Sequence, residues 1–176
     1  IDIDKAKQLL INLGDYFRNT LSNNEDYVSI ETELSHVNAY LAIEKARFDE
    51  KLKIEVDVDK KVDCLLPQLI LQPIVENAIK HGLIPKKNGG TIIIKAEKIN
   101  SETHITVEDT GVGIDEEITE QLYNNKLQEG KIGLSNVHNR LKSIYGQEYG
   151  LKISNREEGG TVVQIIIPDR IAGDSL

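Results

Sequence analysis

Apolar side chains at Leu9, Leu10, Leu13, Phe17 and Leu21 recur at helical spacing over residues 3–22 and predict one helix with a single apolar stripe. Residues Ser22 to Tyr27 are polar and break the pattern. A second helix is expected from Ser29, a suitable N-cap, with Ile30, Leu34, Val37, Leu41 and Phe48 on one stripe and Tyr40 beside it. Two such helices, with too little chain between them for a core, predict a helical hairpin. It either faces a partner or covers a sheet. From Leu52 the period drops to two: Leu52, Ile54, Val56 and Val58 alternate with polar residues, as in a half-buried strand. A long helix is expected from Pro67 to His81, with Pro67 in its first turn and Pro73 in its interior, where a proline leaves a carbonyl unpaired and kinks the axis. Strands follow at Thr91–Lys98 and Thr103–Asp109, then a glycine-bearing loop, Thr110–Ile114, and a short helix capped by Asp115. After a polar stretch from Asn124 to Lys131, a helix is expected over Ile132–Tyr145. Two last strands, Tyr149–Asn155 and Gly160–Pro168, flank a hairpin signal at Glu157-Glu158-Gly159-Gly160. Strands grouped around three helices predict an α+β fold, a two-layer α/β sandwich with a mixed sheet, behind an N-terminal helical hairpin.

Composition narrows the classes. The chain has 176 residues, enough for one compact domain and an appendage, with ordinary apolar and charged fractions of 39% and 28%. A net charge of −8 argues against nucleic acid as a partner, because a phosphate backbone calls for basic surface. It leaves room for a small polyphosphate at one local site. The one cysteine, Cys64, fits a reducing, cytoplasmic compartment. No stretch reaches the roughly 20 apolar residues that span a bilayer. The sequence starts at Ile1 and holds no methionine, which reads as a piece of a longer chain.

Three segments carry chemistry. On the helix Leu69–Gly82, residues Gln72, Glu76, Asn77, Lys80 and His81 share one sector. Magnesium wants hard oxygen ligands, and the Asn77 amide offers one. Lys80 and His81 can meet phosphate, and Glu76 can orient a water or accept a proton. The plainer reading is a solvated face with a Glu76–Lys80 ion pair. On the next segment, strand parity puts Ile105, Val107 and Asp109 on one face, so Asp109 points where its neighbours are buried. A buried carboxylate requires hydrogen-bond donors, and the exocyclic amine of adenine is one. Gly111 and Gly113 let backbone approach a ligand, although Asp and Gly also suit an ordinary strand-end turn. Third, Gly130-Lys131-Ile132-Gly133-Leu134-Ser135-Asn136 runs into a helix whose free N–H groups and dipole attract phosphate, or it is a simple loop-to-helix junction.

In this order, "LILQPIVENAIKHGL", "VEDTGVGI" and "IGLSNVHNRL" resemble the N, G1 and G2 boxes of the GHKL ATPases, the superfamily of gyrase, Hsp90, MutL and the histidine kinases. Together with "ELSHVNAYLAIEKARF" they resemble the LytS-like sensor histidine kinases over residues 29–168. The resemblance implies a Bergerat-type sandwich that binds ATP and Mg2+. Asn77 would ligate magnesium, with Glu76 as the acidic residue beside it and Lys80 and His81 approaching the phosphates. Asp109 would bind adenine in a pocket shaped by Gly111 and Gly113. Gly133 and Leu134 would belong to the lid, with Asn136 at the helix start. It implies residues 1–48 as partial dimerisation and linker helices, 49–170 as the catalytic domain and 171–176 as a tail. It also implies a second kinase protomer and a response-regulator receiver domain as partners, and the cytoplasmic side of a membrane-anchored bacterial sensor. Two departures stand out. The family's phosphoacceptor block, Asn-Pro-His-Phe-Leu-Phe-Asn, is absent: His36, His81, His104 and His138 all lie in other contexts. The lid pattern Gly-x-Gly-Leu has Lys131 in place of its first glycine.

The function expected is therefore that of a histidine-kinase catalytic domain, a transferase passing the γ-phosphoryl group to a histidine outside this sequence. By itself this sequence is expected to lack autophosphorylation. The alternative is a regulatory or interaction module with a degenerate nucleotide pocket. A gyrase-type or Hsp90-type ATPase is disfavoured by the short stretch between the second and third boxes.

Overall fold

The computed structural model describes residues 7, 9–14, 26–124 and 132–168. Phe17, Leu21, Gly130, Lys131, Arg170 and the tail 171–176 lie outside the described residues. Residues 9–14 are helical and leave Leu10 and Ile11 largely exposed, at 69% and 56%. A short strand β1 (Tyr27–Ser29) leads directly into helix α1 (Ile30–Phe48). The Ser29 hydroxyl accepts from the Thr32 amide at 3.3 Å, the capping role its position suggests. Strand β2 (Leu52–Val58) and the short β3 (Leu65–Pro67) follow, then helix α2 (Leu71–Asn77) and a π-helical segment, Ala78–Leu83. The rest of the chain forms β4 (Gly90–Ile99), β5 (Glu102–Asp109), α3 (Glu116–Tyr123), α4 (Ile132–Tyr145), β6 (Leu151–Asn155) and β7 (Thr161–Pro168).

The main sheet runs β2-β4-β5-β7-β6. Among the described residues only its β2–β4 pair is parallel, so the sheet is mixed, as the periodicity implied. Alternation decides which face is buried. Ile92, Ile94, Ala96, Ile105, Val107, Val163, Ile165 and Ile167 point into the core, and their neighbours stay half-buried or exposed. The helical layer supplies Ile30, Val37 and Leu41 from α1, Leu71, Ile74 and Val75 from α2, and Leu134, Val137 and Leu141 from α4. Each such side chain removed from water contributes about 1.5–3 kcal/mol.

The structure decides one alternative and changes one expectation. The apolar stripe of α1 is spent on the core of this chain, where Val37 and Leu41 are fully buried, so the helix covers this fold with the face expected to meet a partner or a sheet. Pro67 ends a strand, and α2 begins only at Leu71. Pro73 thus falls in the first turn, where an N–H has no intrahelical acceptor to lose, and the kink is not required. No local helix signal is strong enough to locate this start, because residues 65–71 are uniformly apolar apart from Pro67 and Gln68.

Candidate functional site

The apolar face of α2 packs inward, and its C-terminal end opens onto a cavity of ≈ 300 Å³ between the helical layer and β5. Asn77, His81, Asp109, Gly113 and Leu134 line it, so residues from all three sequence segments meet in one place. Past Asn77 the helix widens: the Ile84 amide donates to the Ile79 carbonyl at 2.9 Å, a π pattern. Such turns are rare and recur at functional sites.

Asp109 is the polar centre of an apolar wall made by Ile74, Val107, Ile153 and Val163. Its Oδ1 accepts from the Gly111 amide at 2.8 Å, and the hydroxyl and amide of Thr161 also donate to it. Burial pushes its pKa above the ordinary carboxylate value, while these hydrogen bonds and the charge of Arg156 pull the other way. The approach is tight: a Cβ on Gly82 would fall 2.6 Å from Asp109 Oδ1, so only glycine lets the π segment pass this close. Gly113 stands at φ +85, the left-handed region, and Asn155 pins the loop by accepting from the Ile114 amide at 2.8 Å and donating to the Ile114 carbonyl at 2.9 Å. Asp115 caps α3 through the Glu117 amide at 3.0 Å, as expected, and also borders the cavity.

Glu76, Lys80, Gly111, Gly133 and Asn136 are not among the residues that line the cavity. Glu76 accepts from Gln72 Nε2 at 2.9 Å and lies 3.5 Å from Lys80 Nζ. The Lys80 side chain is 59% exposed, so this pair is a surface ion pair worth well under about 1 kcal/mol. Gly133 and Asn136 are exposed on the first turns of α4. Gly111 holds the floor through its amide. On α4, buried His138 accepts at Nδ1 from the Leu151 amide at 3.2 Å, and burial lowers its pKa.

Thr161 was not among the expected site residues. The parity of Thr161, Val163 and Ile165 after the Gly159-Gly160 turn marks it as facing inward, but pairing it with Asp109 requires the sheet. Gly82, Ile74 and Ile153 were missed for the same reason.

Comparisons with known proteins bear on family and fold. A family model described as "Histidine kinase-, DNA gyrase B-, and HSP90-like ATPase" matches residues 62–171, and one described as "Histidine kinase" matches residues 1–52. Sensor histidine kinase YpdA of Escherichia coli K12 is 42% identical over 168 residues, 95% of this chain and 29% of YpdA. Sensor protein LytS of Streptococcus agalactiae serotype V is 35% identical over 178 residues, 99% of this chain and 30% of LytS. The chain thus spans less than a third of the length of these relatives. The catalytic domain of histidine kinase ThkA superposes with a TM-score of 0.62 at 20% identity, covering 81% of this chain and 95% of that domain. ThkA in complex with the response regulator protein TrrA gives 0.62 at 16% identity, covering 93% of this chain and 49% of that one. At such identities these structures speak for the fold, and they share its mixed sheet backed by helices. The chain belongs to the histidine kinase-, DNA gyrase B- and HSP90-like ATPases, among the LytS-like sensor histidine kinases.

Proposed function

We propose that this chain is the nucleotide-holding donor module of a sensor histidine kinase: it binds Mg-ATP in the cavity and presents the γ-phosphoryl group to a histidine outside this sequence. The observation that carries the reading is Asp109, a buried carboxylate in an apolar cavity with Thr161 beside it. A planar base with an exocyclic amine supplies the donor that a buried carboxylate favours, and the walls of Val107, Leu134 and Val163 suit its ring faces. Asn77 and His81 border the same cavity and would meet the phosphates. Among the described residues no cluster of three or more His, Cys, Asp or Glu side chains is placed to hold a metal. That donor set fits magnesium arriving with its nucleotide, taking one oxygen from Asn77 and the rest from phosphate and water.

In the transfer, the bond between the γ-phosphorus and the bridging oxygen of ADP breaks while a P–N bond forms to an imidazole nitrogen. The protein contributes position and charge. Glu76 would orient the reacting partner, Lys80 would leave its ion pair for the phosphates, Gly111 and Gly113 would shape the base pocket, and Gly133, Leu134 and Asn136 would form the lid. Residues 1–48 would belong to the dimerisation and linker helices and 49–170 to the catalytic unit. The exposed Leu10 and Ile11 support a second protomer as partner. A receiver domain would take the phosphoryl group onward. Among the described residues no helix is long and apolar enough to cross a membrane. Placement on the cytoplasmic side of a membrane-anchored sensor is part of the same reading.

Calorimetric titration with ATP, with and without Mg2+, tests it, repeated on Asp109→Asn. Magnesium-dependent binding that weakens in the variant supports the reading. No binding in either condition overturns it in favour of a regulatory module, and multiple-turnover hydrolysis favours a gyrase-like ATPase.

A further inference from the structure

Glu33 is a carboxylate with 0% exposure on the core side of α1, and nothing in the nucleotide reading uses it. Its Oε2 accepts from the amides of Ile70 and Leu71, both at 2.9 Å, and its Oε1 accepts from the amide of Leu69. These amides lie at the start of α2, where a helix leaves its own N–H groups without partners. The helix offers no substitute: its first turn has no acidic residue, and Ile70 at the N-cap has no side-chain acceptor. His36 Nδ1 lies 3.9 Å from Oε1, beyond hydrogen-bond reach, so the amides hold the carboxylate.

Leu69 stands at φ 59, a left-handed conformation that a side chain bearing a Cβ resists. A carboxylate facing three amides and the positive end of a helix dipole is a strong and directional pairing. The junction is tied from both sides. β1 pairs with β3, and the Gln68 amide donates to the Asp26 carbonyl at 3.2 Å. From α4, the Arg140 guanidinium donates to the Gln68 carbonyl and the Tyr145 hydroxyl donates to the Leu65 carbonyl at 3.4 Å. The helix that starts there ends at Asn77, on the cavity.

We propose that Glu33 is a positioning residue for the nucleotide site. From α1 it clamps the left-handed turn at Leu69 and so sets the axis and register of the helix that delivers Asn77. Nucleotide affinity is thereby coupled to the placement of the N-terminal helix. The proposal rests on the reading of the cavity as an Mg-ATP site.

The test uses the 176-residue chain with Glu33→Gln, alone and together with Leu69→Gly, titrated with Mg-ATP, and amide hydrogen exchange on the unaltered chain and the variants. The glutamine of Glu33→Gln keeps the size of the side chain but has one acceptor oxygen and turns an NH2 toward amide donors. It should weaken Mg-ATP binding about tenfold, within the usual range of coupling between sites. Adding Leu69→Gly should recover most of that loss, because glycine takes the left-handed turn without a clamp. A merely structural role would lower the melting temperature with no such rescue. In the unaltered chain the amides of Leu69, Ile70 and Leu71 should exchange as slowly as those of β5. In Glu33→Gln these three should quicken while β5 keeps its protection. Unchanged affinity in Glu33→Gln, absence of rescue, or fast exchange at the three amides of the unaltered chain overturns the proposal. Should Glu33→Gln fail to fold, exchange in the unaltered chain decides. Should the unaltered chain not bind Mg-ATP, the site reading falls and the clamp is judged on exchange alone.

Discussion

Asp109 carries two opposed demands. Burial raises its pKa above the ordinary 3.8, so the folded chain holds that proton to higher pH than the unfolded chain does. The associated stability is full below the ordinary value and is lost as pH rises through the folded value. Asp109→Asn removes the charge in the same volume. The variant should melt higher than the unaltered chain at neutral pH, with the difference shrinking as pH falls toward the ordinary carboxylate range. It should bind Mg-ATP roughly 10–100-fold more weakly, the loss expected when a hydrogen bond to a charged group is removed. Thermal melts across pH and calorimetry read the two effects separately. His138 has the opposite sign. Its lowered pKa keeps it neutral in the folded chain, and the Leu151 amide requires that neutral Nδ1. Stability is full above the ordinary histidine value of 6.5 and is lost as pH falls through it toward the folded value. The melting temperature should therefore drop as pH falls below the ordinary histidine value of 6.5, less steeply in His138→Asn.

Helix α2 shows how a local rule can hold while its application shifts. Proline in a helix interior costs ~3 kcal/mol or more, and with a start at Pro67 position 73 would be interior. With a start at Leu71 it is first-turn, and the ring only restricts the unfolded chain. Pro73→Ala should then lower stability by about 0.4–1 kcal/mol, where an interior proline would make it a large gain; chemical denaturation distinguishes the two. The short β1–β3 ribbon had no period to announce it. Three residues on each side, Tyr27–Ser29 and Leu65–Pro67, are too few for alternation to register, and they pair across a long stretch of intervening chain. The Ser29 and Asp115 caps and the inward parity of Asp109 were legible because each depends on neighbours within a few residues.

For the whole molecule, helix α1 and the sheet share one core. Ile30, Val37 and Leu41 belong to the same core as the sheet, and losing them forfeits about 1.5–3 kcal/mol each, a large share of the net stability of a domain. A chain beginning at residue 49 should lose cooperative unfolding or melt far lower, as calorimetry would show. The placement of the histidines bears on catalysis. His36 and His138 are buried, His104 is half-buried on the open face of the sheet, and His81 borders the cavity itself. None has the context of the family's acceptor. Incubation with labelled ATP should leave no acid-labile phosphohistidine on this chain, and label on His36 would refute that.

Order and type of the main elements and the mixed sheet were determined by the sequence alone, because periodicity, parity and turn chemistry act within a few residues, whereas a shared site for the three segments was implied only by their resemblance to the GHKL boxes. Tertiary structure decided where α2 begins, that α1 faces inward, that Thr161 stands beside Asp109 and that Glu33 closes the start of α2 from far away in sequence. Those facts depend on which surfaces bury each other, and a buried charge or a free amide finds its partner wherever the packed chain brings one within reach.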